Sequence, residues 1–218
     1  LYPFDWLLLD MEHGGLSADA VMDHLRVCSG KQAATIVRVP GIDPVLISKV
    51  LDAGADGIMV PHVLSADDVR ACVKAMYYLP KGNRGFSSST RQFAFGLDMP
   101  ADISEANKPL LFAQIEDVEA VVNVNEIAAM EEVDVLFVGP ADLKLALKHN
   151  AQTEIDFDKS LKLVAEAAQN HSKKAGILAR EESLLRRVNE LGYSCVAMDS
   201  DIAIIKSGFK TVIEKLKT

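Results

Sequence analysis

Seven short apolar runs punctuate this chain and narrow its fold to one class. They are Trp6–Leu9, Ala34–Val37, Gly57–Val60, Leu110–Ile115, Val133–Val138, Ala175–Leu178 and Ser194–Met198. Each is too short for a helix and nearly all apolar, where a half-buried strand would alternate. Strands that read this way are covered on both faces, as in a parallel sheet. Helical patterns separate them. Asp43 and Pro44 supply an N-cap and a first-turn proline ahead of Leu46, Ile47, Val50 and Leu51. Phe157, Leu161, Val164, Ala165 and Ala168 follow the helical period, as do Ile202, Ile205, Phe209, Val212 and Leu216.

The order is strand then helix, repeated, which predicts an α/β fold. A (β/α)8 TIM barrel needs eight units and about 250 residues. Seven units in 218 residues read as one such barrel, residues 1–218, with the first β/α unit absent from this chain. The rival is an open doubly wound sheet, which usually carries a glycine fingerprint after its first strand. Asp10-Met11-Glu12-His13 stands there instead. The connection over residues 79–109, from a helix to the next strand, is well above the usual loop length and reads as a long loop of the βα barrel, of the kind that forms lids or binding loops, with a short helix near Ala101–Asn107.

Composition removes several functions. The formal net charge is −8, so a broad basic surface for nucleic acid or anionic lipid is not expected. No run of apolar residues is long enough for a transmembrane helix. Cys28, Cys72 and Cys195 are odd in number and widely spaced, and the opening residues lack the pattern of an export signal. A reducing cytoplasm is the expected location.

In a parallel barrel the working residues sit at the C-terminal ends of strands. Six of the seven runs are followed there by Asp10, Glu12 and His13; Arg38; Pro61 and His62; Glu116, with Gln114 inside its run; Ala141 and Asp142; and Asp199 and Asp201. Glu116 and Asp142 end consecutive strands, and two carboxylates without a cysteine suit a hard divalent cation such as Mg2+ or Mn2+. An acidic helix N-cap is the competing explanation for Asp142. Arg38 follows a buried strand and needs an anionic partner, either a substrate carboxylate or an internal acid. His13 has the chemistry of a general base, while a structural histidine is the ordinary alternative. His62 reads mainly as a rim residue. No Gly-x-Ser-x-Gly motif occurs, and no lysine lies within or at the end of a run, Lys31 and Lys174 preceding theirs. That leaves no nucleophile and no Schiff-base lysine for carbonyl activation.

Taken together, these residues resemble the HpcH/HpaI family of metal-dependent, class II pyruvate aldolases. The similarity rests on Phe4-Asp5-Trp6 through His13, Val37-Arg38-Val39-Pro40, Leu51 to Ala55, Val60-Pro61, Arg84-Gly85, Gln114-Ile115-Glu116 and Val138 to Leu143. It covers nearly the whole chain and weakens after residue 145. The resemblance implies a TIM barrel in a hexamer of paired subunits, with the C-terminal helix at 200–218 exchanged between them. It implies reversible aldol cleavage of a 4-hydroxy-2-oxo acid to pyruvate and an aldehyde, through a metal-stabilised enolate.

Residue by residue, the resemblance makes Glu116 and Asp142 the metal ligands and Gln114 the polar group beside them. Arg38 holds the keto oxygen, and His13 is the base, with Asp10 as its orienting partner. The backbone at Ala141 and Asp142 seats the substrate carboxylate. Asp52 matches an acid that reaches a neighbouring subunit's site. The chain departs from the family at Arg84-Gly85-Phe86-Ser87, at Lys144 and at Asp199-Ser200-Asp201. These departures are expected near the aldehyde half, where Arg84 or Lys144 would pair with a distal carboxylate. Two other readings stay open: a related lyase or synthase acting on a CoA ester or by decarboxylation, and a barrel that binds 2-oxo acids without turnover.

Overall fold

The computed structural model describes residues 3–30, 32–106, 108–150 and 154–217. Lys31, Asn107 and Thr218, which figure in the expectations above, lie outside them. Seven strands form one parallel sheet in sequence order. They are β1 (Trp6–Asp10), β2 (Ala34–Arg38), β3 (Gly57–Val60), β4 (Leu110–Ile115), β5 (Val135–Val138), β6 (Lys174–Ala179) and β7 (Cys195–Met198). Every neighbour in sequence is a neighbour in the sheet, the order of a curled, TIM-barrel-like sheet. The helices are α1 (Ala18–Cys28), α2 (Pro44–Asp52), α3 (Ala66–Met76), α4 (Val118–Val122), α5 (Val124–Ala128), α6 (Pro140–His149), α7 (Phe157–Asn170), α8 (Glu182–Glu190) and α9 (Asp201–Leu216).

Alternation along each strand divides the core in two. Val37, Ile58, Val60, Leu111, Ala113, Ile115, Leu136, Val138, Ala175 and Ile177 point outward and pack on the helices. Ile36, Met59, Phe112, Val135 and Phe137 point inward, with Trp6 and Leu8 against them. The rings of Trp6 and Phe112 are 5.5 Å apart, and Trp6 meets Phe137 edge-on at 6.0 Å. This inner layer fills the concave side of the curled sheet below the rim, so that interior is packed and not a channel. Gly176 is required here, because a Cβ would come within 2.6 Å of the Phe137 ring.

Local chemistry sets the helix starts. The Asp43 carboxylate accepts the amides of Val45 and Leu46 ahead of Pro44. Ser65 and Asp68 form a reciprocal capping box at α3. At the opposite rim, Asp56 and Asp134 directly precede β3 and β5. Their carboxylates accept the amides of Thr35 and Leu111 on the preceding strand, at 2.7 and 2.8 Å, while their carbonyls accept from the next strand.

The structure corrects several expectations. β5 begins at Val135, two residues later than the apolar run, because Asp134 serves as the clamp just described. Lys174 is the first residue of β6, not a residue before it. It is exposed at the strand's starting end, so no lysine reaches the working rim from that strand. The long 79–109 segment leaves the end of α3 and enters the start of β4. It is therefore an αβ connection, on the rim opposite the C-terminal strand ends. It contains two 3-10 stretches, Arg91–Gly96 and Ile103–Glu105, the second in place of the expected helix. Helix α9 carries no buried residue, and its apolar line of Ile202, Ile205, Phe209, Val212 and Leu216 is exposed. No helix among the described residues is long and apolar enough to cross a membrane.

Candidate active site at the C-terminal rim

The inward face that carries the aromatic layer continues upward into polar residues. On β1 the sequence of inward positions is Trp6, Leu8, Asp10; on β2 it is Ile36, Arg38; on β4 it is Phe112, Gln114, with Glu116 just past the strand end. Asp10 and Arg38 are directly paired across β1 and β2. Arg38 Nε donates to Asp10 Oδ1 at 2.9 Å and Nη2 to Oδ2 at 2.6 Å, a bidentate fork. Its third nitrogen, Nη1, lies 3.0 Å from Glu12 Oε2. That contact is too oblique for a hydrogen bond and leaves the buried Oε2 without one.

Asp10 also organises the loop above it. Its Oδ1 accepts the amides of Glu12 at 3.0 Å and His13 at 3.3 Å. Burial alone would raise the Asp10 pKa, but the bonds and charge of Arg38, with these amides, outweigh it and hold the carboxyl below its ordinary value. Gly14 is required in this turn, since a Cβ would stand 2.2 Å from the Asp10 carbonyl. The His13 ring is 66% exposed and reaches Glu12 Oε2 at 3.8 Å. The side chain nearest its ring is therefore Glu12, while Asp10 holds the His13 backbone.

Glu116 is the most enclosed acid here, 1% exposed. Its Oε1 accepts the His62 amide at 3.0 Å, and its Oε2 accepts Gln114 Nε2. Burial pushes its pKa above the ordinary carboxylate value, and these two donors do not reverse that. Gln114 is 3% exposed, yet its Oε1 has no partner. Gly139, after β5, makes the room: a Cβ there would lie 2.3 Å from Glu116 Oε2. His62 adopts a left-handed backbone, φ 52°, and its Nδ1 lies 2.9 Å from Asp117 Oδ2. The bond to Asp117 raises its pKa against partial burial, helped by the charges of Glu116, Asp117 and Glu12.

Among the described residues, one group of three acidic or imidazole side chains has donor atoms all within 4.8 Å: Glu12, His62 and Glu116. Asp142, half-buried in the first turn of α6, is not a member of this group, so the structure does not itself bring the expected Glu116–Asp142 pair together. The start of α6 has no side-chain cap. The remaining expected residues lie elsewhere. Arg84 is buried on the opposite rim, bound to Asp52 and, at 2.5 Å, to Gln92 Oε1, and it stacks on Tyr78. Lys144 Nζ sits 4.5 Å over the Phe157 ring. Sequence reasoning placed Glu12 on the rim only as a carboxylate that, like Asp10, could fix the His13 tautomer, and it gave His62 little weight. Glu12 continues the even-numbered inward series of β1, a signal that was available. The turn that brings His62 over Glu116 depends on a left-handed backbone that no local motif announces.

A profile of the HpcH/HpaI aldolase/citrate lyase family matches residues 1–208. The chain belongs to the HpcH/HpaI aldolase/citrate lyase family. It is similar to the 5-keto-4-deoxy-D-glucarate aldolases of Escherichia coli (38% identical, covering 98% of this chain and 84% of the relative) and Klebsiella pneumoniae (36%, with the same coverage). Among solved structures, an HpcH/HpaI aldolase/citrate lyase family protein from Burkholderia cenocepacia superposes with a TM-score of 0.89 at 30% identity, over 99% of this chain and 87% of that one. Macrophomate synthase superposes at 0.81 and 29% identity, over 98% and 77%. Membership in the HpcH/HpaI family makes the chain an enzyme of the aldolase and lyase kind.

The raised pKa of Glu116 makes a stability prediction. A carboxyl whose folded pKa exceeds its unfolded value stabilises the fold at low pH and loses that contribution as pH rises through the folded value. Near neutral pH burying the Glu116 carboxyl is therefore a cost to the metal-free fold. Glu116→Gln should melt about 2–4 °C higher there, the shift that about 1 kcal/mol produces in a chain of this size. A turned Gln114 amide can accept from the new side chain. The gap should close by about pH 4, where Glu116 carries its own proton. Calorimetry of both proteins in chelator, across that range, checks it; a variant less stable at neutral pH would show the acid is not strained.

Proposed function

We propose that the chain is a class II aldolase that reversibly cleaves a 4-hydroxy-2-oxo acid to pyruvate and an aldehyde in the cytoplasm, with Mg2+ or Mn2+ as cofactor. The observation that carries this is the buried Gln114 Oε1, which has no hydrogen-bond partner, beside the enclosed carboxylate of Glu116 and a Glu12 Oε2 that has only the ion-pair contacts of Arg38 and His13. Buried polar atoms without partners are rare and call for an unseen ligand. The donor set is dominated by oxygen and contains no cysteine, which fits a hard divalent cation.

Glu116 and Asp142 would hold the cation, with Gln114 and Glu12 beside it. When bound, it supplies Lewis acidity toward the carbonyl of the 2-oxo acid. Arg38 faces the same space with a guanidinium already fixed by Asp10, and it stabilises the negative charge that gathers on the keto oxygen as the C3–C4 bond breaks. His13 takes the proton of the C4 hydroxyl, and Glu12, between Arg38 and the His13 ring, steadies both. The uncapped amides at Ala141 and Asp142 seat the substrate carboxylate. The similarity to 5-keto-4-deoxy-D-glucarate aldolases favours a substrate derived from a sugar acid.

Assembly and closure follow the same reading. The exposed apolar line of α9 packs against a second copy, exchanging the helix within pairs of a hexamer. An eighth strand closes the barrel at the free edge of β1. Asp5 supports this: it precedes β1 as Asp56 and Asp134 precede β3 and β5, and its carbonyl accepts from Ala34 in the same way. Among the described residues its carboxylate makes no hydrogen bond, whereas the other two hold the preceding strand.

Pyruvate release coupled to lactate dehydrogenase tests the chemistry. EDTA should suppress turnover at least about 100-fold, with Mg2+ or Mn2+ restoring it. Glu116→Ala should lose metal binding, while Arg38→Ala should keep metal affinity and lose about 10²–10³ in kcat. Turnover indifferent to chelation would overturn the proposal. Assembly is tested by sedimentation velocity: Phe209→Asp should dissociate the native oligomer, and an unaltered sedimentation coefficient would rule out packing through α9.

A further inference from the structure

We infer that His62, held by Asp117, determines substrate specificity by contacting a hydroxyl group on the aldehyde half of the substrate. The inference rests on the aldolase reading above and extends it to a residue that reading leaves unused.

Four observations meet at this side chain. First, His62 has φ 52°, a left-handed conformation that a residue with a Cβ rarely adopts. Its amide donates to Glu116 Oε1 at 3.0 Å, so the strained turn is anchored on the most enclosed acid of the site. Second, Nδ1 lies 2.9 Å from Asp117 Oδ2. A carboxylate at Nδ1 draws the proton to that nitrogen and leaves Nε2 as an acceptor. Among the described residues, Nε2 makes no hydrogen bond. Third, the side chain is 57% exposed at the mouth of the site, although one ring nitrogen lies within 4.8 Å of carboxylate oxygens of both Glu12 and Glu116. A histidine kept only to brace Glu116 would have no need of an oriented, open ring. Fourth, Asp117 directly follows Glu116, so two consecutive residues fix the backbone and the ring of one histidine.

Position supplies the partner. The oxo-acid half is committed to Arg38 and Gln114, which rise from β2 and β4. His62 follows the strand between them. A substrate extending from that half across the mouth passes the free Nε2, where a hydroxyl can donate. One neutral hydrogen bond of this kind is worth about 0.5–1.5 kcal/mol, which corresponds to a preference of up to about tenfold.

The test compares two aldehydes of equal carbon count in aldol addition to pyruvate, with Mn2+ present. Glycolaldehyde carries the hydroxyl and acetaldehyde lacks it. Wild type should favour glycolaldehyde in kcat/KM by up to about tenfold. His62→Asn suits the left-handed backbone, since asparagine tolerates it, and His62→Phe keeps a ring without nitrogens. In both, the preference should fall to near one, mainly through KM for glycolaldehyde. Asp117→Asn, which loosens the ring, should give an intermediate ratio. Circular dichroism confirms that each variant is folded. An unchanged ratio in the two His62 variants, with or without a parallel loss on both aldehydes, would overturn the inference and leave the aldolase reading standing. Failure of wild type to add either aldehyde would overturn the aldolase reading, and this inference with it.

Discussion

The site depends on one lateral pairing, Asp10 on β1 against Arg38 on β2. Each ends a strand whose inward positions below it are apolar, so each places a charge at the top of a packed interior. Alone, either charge would be costly to enclose. Together they form a fork whose geometry is set by the sheet register itself. The same pair then fixes what lies above. Asp10 accepts the amides that turn the chain toward Glu12 and His13, and Arg38 presents its remaining nitrogen to Glu12. A shift of one residue between β1 and β2 would send the acid outward and undo the arrangement.

From this follows a division of labour across the mouth. The β1–β2 side is charge-balanced and held together by its own contacts. The β4–β5 side is not: Glu116 is enclosed against its preference for water, Gln114 has an oxygen with no partner, and Gly139 keeps space where a side chain would collide. One wall is charge-balanced, with only Glu12 Oε2 lacking a hydrogen bond, and the facing wall is not. That asymmetry is what a pocket awaiting a cation and an oxo acid requires, and stability given up there is a common accompaniment of function.

Much of the fold was legible because both-face burial leaves a plain mark. All seven apolar runs became strands, in order, and their C-terminal ends gathered the polar residues. Residues whose placement depends on tertiary paths were harder to read. Arg84 looked like a substrate contact because it sits in a long loop rich in aromatic residues. The path of that loop from α3 to β4 puts it on the far rim, where Asp52 neutralises it and Gln92 accepts a hydrogen bond from it. His62 looked ordinary because its importance comes from a backbone turn and from Asp117, 55 residues later. Glu12 deserved more than a place beside His13, since its parity with Trp6, Leu8 and Asp10 already pointed it inward.

The central claim is that one inward register assembles Arg38, Gln114 and Glu116 around a single cation and a single 2-oxo acid. Anomalous diffraction from crystals grown with Mn2+ and oxalate, a non-reactive mimic of the enolate of pyruvate, addresses it most directly. The account predicts one manganese peak in contact with Glu116, with the oxalate lying between it and Arg38. A peak that avoids Glu116, or oxalate bound away from Arg38, would contradict it.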